Sequence, residues 1–200
     1  MENNRLITAI LGSPRRRGNS DTLALEFLKG ASEGGCDRRV IVPTDLGLGP
    51  CDGNSECLED GKCAIRDGMN EIYDAVLSSP YLLVATPVYF MGPPGTLKAF
   101  IDRFQAVWAR SAVLKTFDPD SPRRRATHKA FAIVTGAKEA KSGMYRPTIS
   151  ILKAFFNVTG FTYTGELIAR GLEKPGDAGQ RKDLLKQAYS AGKEFVKLSV

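Results

Sequence analysis

The stretch Leu11-Gly12-Ser13-Pro14-Arg15-Arg16-Arg17-Gly18-Asn19-Ser20 follows an apolar run, Arg5 to Leu11. It leads into a segment where Leu23, Phe27 and Ala31 fall on one side, with Ala24 and Leu28 beside them. A strand, a polar loop and an amphipathic helix are therefore joined in that order. Such a joint is a place for an anion. Gly12 and Gly18 can take backbone angles that other residues resist, so a tight loop can turn its N–H groups inward. The hydroxyls of Ser13 and Ser20, the amide of Asn19 and the guanidinium of Arg15 add donors, and the helix start adds roughly half a positive charge. The competing reading is a polar turn with its helix cap at Ser20.

Spacing excludes two well-known phosphate loops. A P-loop needs Gly, four residues, then Gly-Lys-Ser or Gly-Lys-Thr. Here five residues separate Gly12 from Gly18, and Asn19 stands in the lysine position. The dinucleotide fingerprint needs G-x-G-x-x-G and an acidic residue ending the next strand. Gly12 is instead followed two residues on by Pro14, and the next strand candidate ends in Val42-Pro43. A loop gripping a single terminal phosphate remains.

Working outward, Arg39 to Val42 reads as a second strand and Tyr81 to Thr86 as a third. Phe131 to Thr135 reads as a fourth and Thr162 to Ile168 as an edge strand. Helical spacing appears at Met69, Ile72, Tyr73, Val76 and Leu77, and from Thr96 through Leu97, Phe100, Ile101, Phe104 and Trp108. It recurs at Ile149, Leu152 and Phe156, and from Leu184 to Val196. Strands alternating with helices predict an α/β fold, a doubly wound parallel sheet with helices on both faces and right-handed crossovers. In a sheet of order 2-1-3-4-5 the winding reverses between strands 1 and 3, and ligands bind outside the carboxyl ends there. The two odd loops, Gly12 to Ser20 and Pro87 to Gly95, follow those two strands. They are expected to meet at one crevice.

The 200 residues suit one domain, 1–200, with a cysteine-containing excursion at about 44–66 and a second at about 109–128. Hydrophobic content of 42% and charged content of 25% are ordinary for a soluble globular protein. Neither a signal-peptide pattern nor an apolar run near the roughly 20 residues of a membrane span is present in the sequence, so a cytoplasmic location without a membrane partner is expected. Four cysteines there read as thiols or metal ligands rather than disulfides. A net charge of +6 favours acidic partners and cofactors.

Pro87-Val88-Tyr89-Phe90-Met91-Gly92-Pro93-Pro94-Gly95 combines a stiff backbone with two aromatic rings. Fixed N–H groups in such a loop can face a flat redox ring, and Tyr89 and Phe90 are both candidates to stack on it. With Gly12-Ser13-Pro14-Arg15, Gly18-Asn19-Ser20, Thr86-Pro87-Val88-Tyr89-Phe90 and Lys98-Ala99-Phe100-Ile101-Asp102-Arg103, the chain resembles the NAD(P)H-dependent FMN reductases of flavodoxin-like fold. The iron–sulfur flavoproteins are the nearest branch in pattern. The resemblance implies FMN as cofactor and NADPH or NADH as co-substrate. It implies a phosphate site at Ser13, Arg15, Asn19 and Ser20 and a ring site at Pro87, Val88, Tyr89 and Phe90, with Thr135 and Gly136 near the ring's other edge. Lys98, Asp102 and Arg103 read as helix-surface or subunit-contact charges. Because flavin supplies the redox step, no catalytic side chain is named. The acceptor would be a flavin, a quinone, a nitroaromatic or an electron-transfer protein, and the assembly a homodimer or homotetramer. The alternative is a non-enzymatic FMN electron carrier.

Iron–sulfur flavoproteins carry a compact four-cysteine motif where this chain has Cys51, Cys57 and Cys63, and Asn54 takes one expected cysteine position. A [4Fe–4S] cluster ordinarily needs four thiolates. It is therefore not favoured, and no metal ligand is assigned. Cys36 precedes the second strand and is a poor substitute. The runs Arg15 to Arg17 and Arg123 to Arg125 lack a nucleic-acid motif, so no nucleic-acid partner is expected. Solvated charge is the reading for the second run, a site for the NADPH adenosine phosphate its rival. His128 is read as structural.

Overall fold

The computed structural model describes residues 5–137 and 142–197. In chain order the elements are β1 (Leu6–Leu11), α1 (Asn19–Glu33), β2 (Asp37–Ile41), α2 (Cys57–Asp60), α3 (Met69–Leu77), β3 (Tyr81–Pro87) and α4 (Gly95–Asp102). There follow α5 (Gln105–Ala112), α6 (Pro122–Thr127), β4 (Lys129–Thr135), α7 (Arg146–Val158), β5 (Thr162–Ala169), α8 (Asp177–Gln180) and α9 (Lys182–Phe195). The strands form one parallel sheet of order β2-β1-β3-β4-β5, the flavodoxin-like order expected from the alternation. Strands β1 and β3 are covered on both faces, which is why they read as unbroken apolar runs rather than alternating ones. Their side chains feed two cores. Ile7, Ala9, Leu83 and Ala85 pack with α1 and α9, while Ile10, Leu82 and Val84 pack with α3, α4, α5 and α7.

Helices α1 and α9 approach too closely for side chains at their crossing. A Cβ on Gly192 would lie 1.9 Å from the Phe27 carbonyl oxygen, and one on Gly30 would lie 2.0 Å from the Tyr189 oxygen. Both obstacles are backbone and cannot swing aside. Around this contact Phe27, Phe131, Tyr81 and Phe195 form a ring cluster with centroid separations of 4.9 to 5.9 Å. One polar pair in the core is mutually satisfied, Thr8 Oγ1 and Ser79 Oγ at 2.6 Å. Among the described residues no helix is long and apolar enough to cross a membrane.

Three sequence expectations need correction. The helix from Thr96 through Trp108 is two helices, α4 and α5, because the Tyr73 hydroxyl donates to the Arg103 carbonyl at 2.6 Å. Val107 N–H bonds to Phe104 O instead, and the chain turns a corner at residues 103 and 104. The Arg103 side chain turns inward there, so it is a buried group and not a helix-surface charge. The excursion at 109–128 is also partly regular, since α5 runs to Ala112 and α6 lies within it. Pro122 at its first turn and the Ser121 hydroxyl, accepting from Arg124 N–H, start that short helix.

Gly192→Ala is expected to lower the unfolding free energy by about 1–3 kcal/mol, whereas Gly179→Ala, with open space around its Cβ, changes it by less than about 1 kcal/mol. Urea denaturation followed by circular dichroism checks both; equal midpoints for the two variants would contradict the close helix contact.

Candidate functional site

Parallel pairing brings the carboxyl ends of β1, β3, β4 and β5 to one edge of the sheet. Beyond the strands the ladder continues through Gly12 N–H to Ala85 O (2.8 Å), Val88 N–H to Thr135 O (2.9 Å) and Gly136 N–H to Ala169 O (3.0 Å). The loops leaving these ends enclose a cavity of about 170 Å³ lined by Ser13, Arg15, Gly18, Asn19, Ser20, Pro87, Val88, Tyr89, Thr135 and Gly136. The two odd loops thus face one crevice. Phe90 alone among the expected residues does not line it. Phe90 and Met91 occupy the tip of a two-residue turn closed by Tyr89 N–H to Gly92 O (2.8 Å) and Gly92 N–H to Tyr89 O (3.0 Å). Both sit in the left-handed region, at φ of 48° and 68°, and the Phe90 ring points fully into solvent. Side chains other than Gly, Asn or Asp rarely hold that pair of conformations. Thr148 Oγ1 pins the turn by donating to Met91 O at 2.9 Å.

The Gly12 to Ser20 loop is braced from within. Ser13 Oγ donates to Arg15 O and accepts from Arg15 N–H, while Asp21 accepts from Arg17 N–H. Burial raises the Asp21 carboxyl above its ordinary value, against the lowering effects of that hydrogen bond and of Arg16. Asn19 spends its amide on structure: Nδ2 donates to Lys174 O and Leu172 O, and Oδ1 accepts from Ala178 N–H. These bonds tie the start of α1 to the loop after β5. Helix α1 begins after Gly18 with no side-chain cap, and Gly18, Asn19 and Ser20 at its start line the cavity. Uncapped N–H groups, the Arg15 side chain and the half-exposed Tyr89 ring fit an anionic tail joined to a flat head.

Ala137, Leu172, Glu173 and Pro175 also line the cavity and were not expected. Gly171 and Pro175, punctuating the chain just after the last strand, were the available signal. The arginines of the second run, by contrast, are largely absorbed into structure. Arg124 lies against the Phe117 and Phe161 rings and donates to Leu77 O and Thr159 O; burial pulls its pKa down to about 10. Arg125 bonds to Asp120, Asn157 and Phe161 O. The reading of that run as solvated charge is corrected for these two residues, and neither is available for an adenosine phosphate.

A larger cavity, about 690 Å³, lies between the 51–64 loop, α4, α5 and α7 and shares no lining residue with the first. Arg103 donates to Asp67 (2.5 and 2.8 Å), Gly49 O (2.9 Å) and Cys63 Sγ (3.3 Å). The guanidinium holds the Asp67 carboxyl below its usual value, and Asp67 in turn holds Arg103 above its own. The loop does not fit a [4Fe–4S] cluster. Asn54 spends its side chain within the loop, donating to Asp52 and accepting from Glu56 N–H, and the Cys63 sulfur is engaged by Arg103. Among the described residues no three His, Cys, Asp or Glu side chains are grouped to hold a metal ion. Cys36 is buried in the opposite core from Cys57 and Cys63.

His128, with Nδ1 at 2.9 Å from Thr127 Oγ1 and its ring edge-on to Phe161, is pushed down to about 4 by burial and then by Arg124. The unfolded chain binds this proton near 6.5, so the folded state holds fewer protons between those values. Stability should therefore fall as pH drops from about 6.5 to 4 and level off below. As the chain has one histidine, its single ring resonance gives the folded pKa directly by NMR. His128→Asn should flatten the dependence of the urea midpoint across that window, and a native titration near 6.5 would contradict the burial.

Residues 6–171 match the family model described as NADPH-dependent FMN reductase. An iron–sulfur flavoprotein of Methanocaldococcus jannaschii is 37% identical over 97 residues, 48% of this chain and 50% of that protein. The match spans about half the length of that relative. YwqN of Bacillus subtilis, named as an NAD(P)H-dependent FMN-containing oxidoreductase, is 28% identical over 194 residues, 96% of this chain and 97% of that one. An NAD(P)H:quinone oxidoreductase from Methanothermobacter marburgensis superposes with a TM-score of 0.71 at 18% identity, covering 94% of each chain, a likeness of fold. With its flavodoxin-like sheet order and a family match over most of its length, the chain belongs to the NADPH-dependent FMN reductases, a family of oxidoreductases.

Proposed function

We propose that the 170 Å³ cavity holds the phosphate and ribityl tail of FMN, that Pro87, Val88 and Tyr89 carry the ring, and that the protein passes electrons from NADPH or NADH to a flat, apolar acceptor such as a quinone. When bound, the flavin supplies the two-electron chemistry, accepting hydride from the nicotinamide and releasing electrons to the acceptor. The observation that carries the reading is that loops from four separate strand ends line one cavity together with an uncapped helix start.

The protein's own groups bind and orient. The first N–H groups of α1 and the Arg15 guanidinium face negative charge. Backbone groups beyond β3 and β4, fixed by the Val88-to-Thr135 bond, hold the ring edge. The cavity is smaller than the roughly 300–1,000 Å³ of pockets that enclose a whole ligand. It encloses the tail and leaves the ring at an open rim, where Tyr89 is half exposed and Met91 stands nearby. Such a rim favours flat apolar molecules over charged ones, and it is open to cover by a second copy of the chain.

Apo-protein titrated with FMN and with riboflavin tests the phosphate site, since riboflavin shares the ring and lacks the phosphate. FMN should bind far more tightly, and Arg15→Ala should weaken FMN by roughly 10- to 100-fold while leaving riboflavin unchanged. Steady oxidation of NADPH or NADH with a quinone should then accompany FMN loading. Equal affinity for the two flavins in the wild type would sink the phosphate assignment, and a loaded protein that neither nicotinamide reduces would leave only a carrier.

A further inference from the structure

Cys51, Cys57 and Cys63 line the 690 Å³ cavity together, apart from the proposed flavin cavity, and the three thiols do not fit an iron–sulfur cluster. They differ sharply in freedom. Cys63 is held at three atoms: its N–H donates to Asn70 Oδ1 (3.2 Å), its carbonyl accepts from Asn70 Nδ2 (3.3 Å), and its sulfur accepts from Arg103 Nη2 (3.3 Å). Arg103 is itself fully buried and bonded to both Asp67 oxygens. The segment before Cys57 is tethered mostly to itself. Asn54 N–H and Nδ2 bond to the Asp52 carboxylate, Ser55 Oγ to Gly53 O, and Glu56 N–H to Asn54 Oδ1. Gly53 and Ser55 both take positive φ, 71° and 66°.

Access and proximity favour that pair. Cys51 is exposed, and Cys57 is partly covered and packs on the core beside α5. Cys51 and Cys57 line the same cavity, and burial pushes the Cys57 thiol up. A disulfide needs Cα atoms about 4.4–6.8 Å apart. The segment joining the two cysteines is short and bonded mostly within itself, so closing it would leave the sheet and the Arg103 anchor in place.

We propose that Cys51 and Cys57 form a thiol–disulfide exchange site whose substrate is a low-molecular-weight disulfide reaching the mouth of the 690 Å³ cavity. The Cys51 thiol loses its proton to solvent and its sulfur attacks one sulfur of the small disulfide. That S–S bond breaks, a Cys51 mixed disulfide forms, and one small thiolate leaves and takes up a proton. Cys57, its proton also released to solvent, then attacks the Cys51 sulfur. The Cys51–Cys57 bond forms and the second small thiolate departs and is protonated. Two cysteine sulfurs are oxidised and one small disulfide is reduced to two thiols. Cys63, clamped by Arg103 and Asn70, takes no part.

The test equilibrates the purified full-length protein, carrying whatever flavin it retains, with oxidised glutathione. Free thiols are then alkylated under denaturing conditions and the peptides mapped by mass spectrometry. Wild type should lose two of its four thiols as a Cys51–Cys57 cross-link, with Cys36 and Cys63 alkylated, and excess dithiothreitol should restore all four. Cys57→Ser should stop at a glutathione adduct on Cys51, and Cys63→Ser should still cross-link. A wild-type product that stays as the Cys51 adduct overturns the proposal, as does a cross-link involving Cys63. Stoichiometric iron and acid-labile sulfide after anaerobic purification would also overturn it. None of these readouts depends on flavin binding, so failure here is distinguishable from failure of the FMN reading.

Discussion

Every strand of a parallel sheet points the same way, and the candidate site depends on that constraint. It obliges the carboxyl ends to emerge on one edge, and the order β2-β1-β3-β4-β5 puts β1 and β3 side by side where the winding reverses. Leu11 pairs with Ala85, and Pro87 with Thr135. Beyond those pairings Gly12 and Val88 leave the same edge of the sheet, Gly12 bonded to Ala85 and Val88 to Thr135. A one-residue slip of β1 would turn Ile7 and Ala9 toward the wrong core and withdraw Ser13 from the cavity in the same movement. The apolar cores on the two faces thus fix the position of polar groups that neither core contains.

On the α4 and α5 side the structure depends on a different device, the buried Arg103. A guanidinium out of water is costly, and an ion pair there rarely stabilises more than well-packed apolar groups would. Here Nε has no partner, so the cost is incompletely offset. What the group supplies instead is position. The 44–66 connection has little regular structure to hold it, and Arg103 binds it at Gly49 and Cys63 and binds Asp67 just beyond its end. The corner between α4 and α5 follows from the same cluster, since Tyr73 takes the Arg103 carbonyl that a continuous helix would have used.

The sheet was legible because its signal is periodic and local: apolar runs separated by amphipathic segments, with glycine and proline at the joints. The crevice was legible because two improbable loops followed two strands that the order makes neighbours. Arg103 was not. Its spacing in Lys98-Ala99-Phe100-Ile101-Asp102-Arg103 is that of a surface charge, and only the distant Asp67 and Tyr73, brought close by folding, turn it inward. Phe90 fails for a related reason. Composition marks it as an aromatic in a cofactor-like loop, but the direction of its ring is set by a left-handed turn whose two central residues, Phe90 and Met91, are not glycines. The lining from the loop after β5 was hidden by ordinary composition, and it reaches the site through Asn19, which bonds across more than 150 positions of sequence to Lys174 and Ala178.

That bond limits what the Gly12 to Ser20 loop can offer a ligand. Ser13 and Asn19 look like direct ligands when read in sequence, yet both side chains are already spent on holding the loop. Recognition of an anion then falls to backbone N–H groups at the start of α1 and to the exposed Arg15. Backbone donors fixed in advance need no ordering when a ligand arrives, so less of the binding free energy goes to immobilising side chains. They also favour negative charge without reading the shape of what carries it. Any reading of a ligand's shape therefore falls to the opposite wall, Pro87 to Tyr89, beside a turn pinned to Thr148.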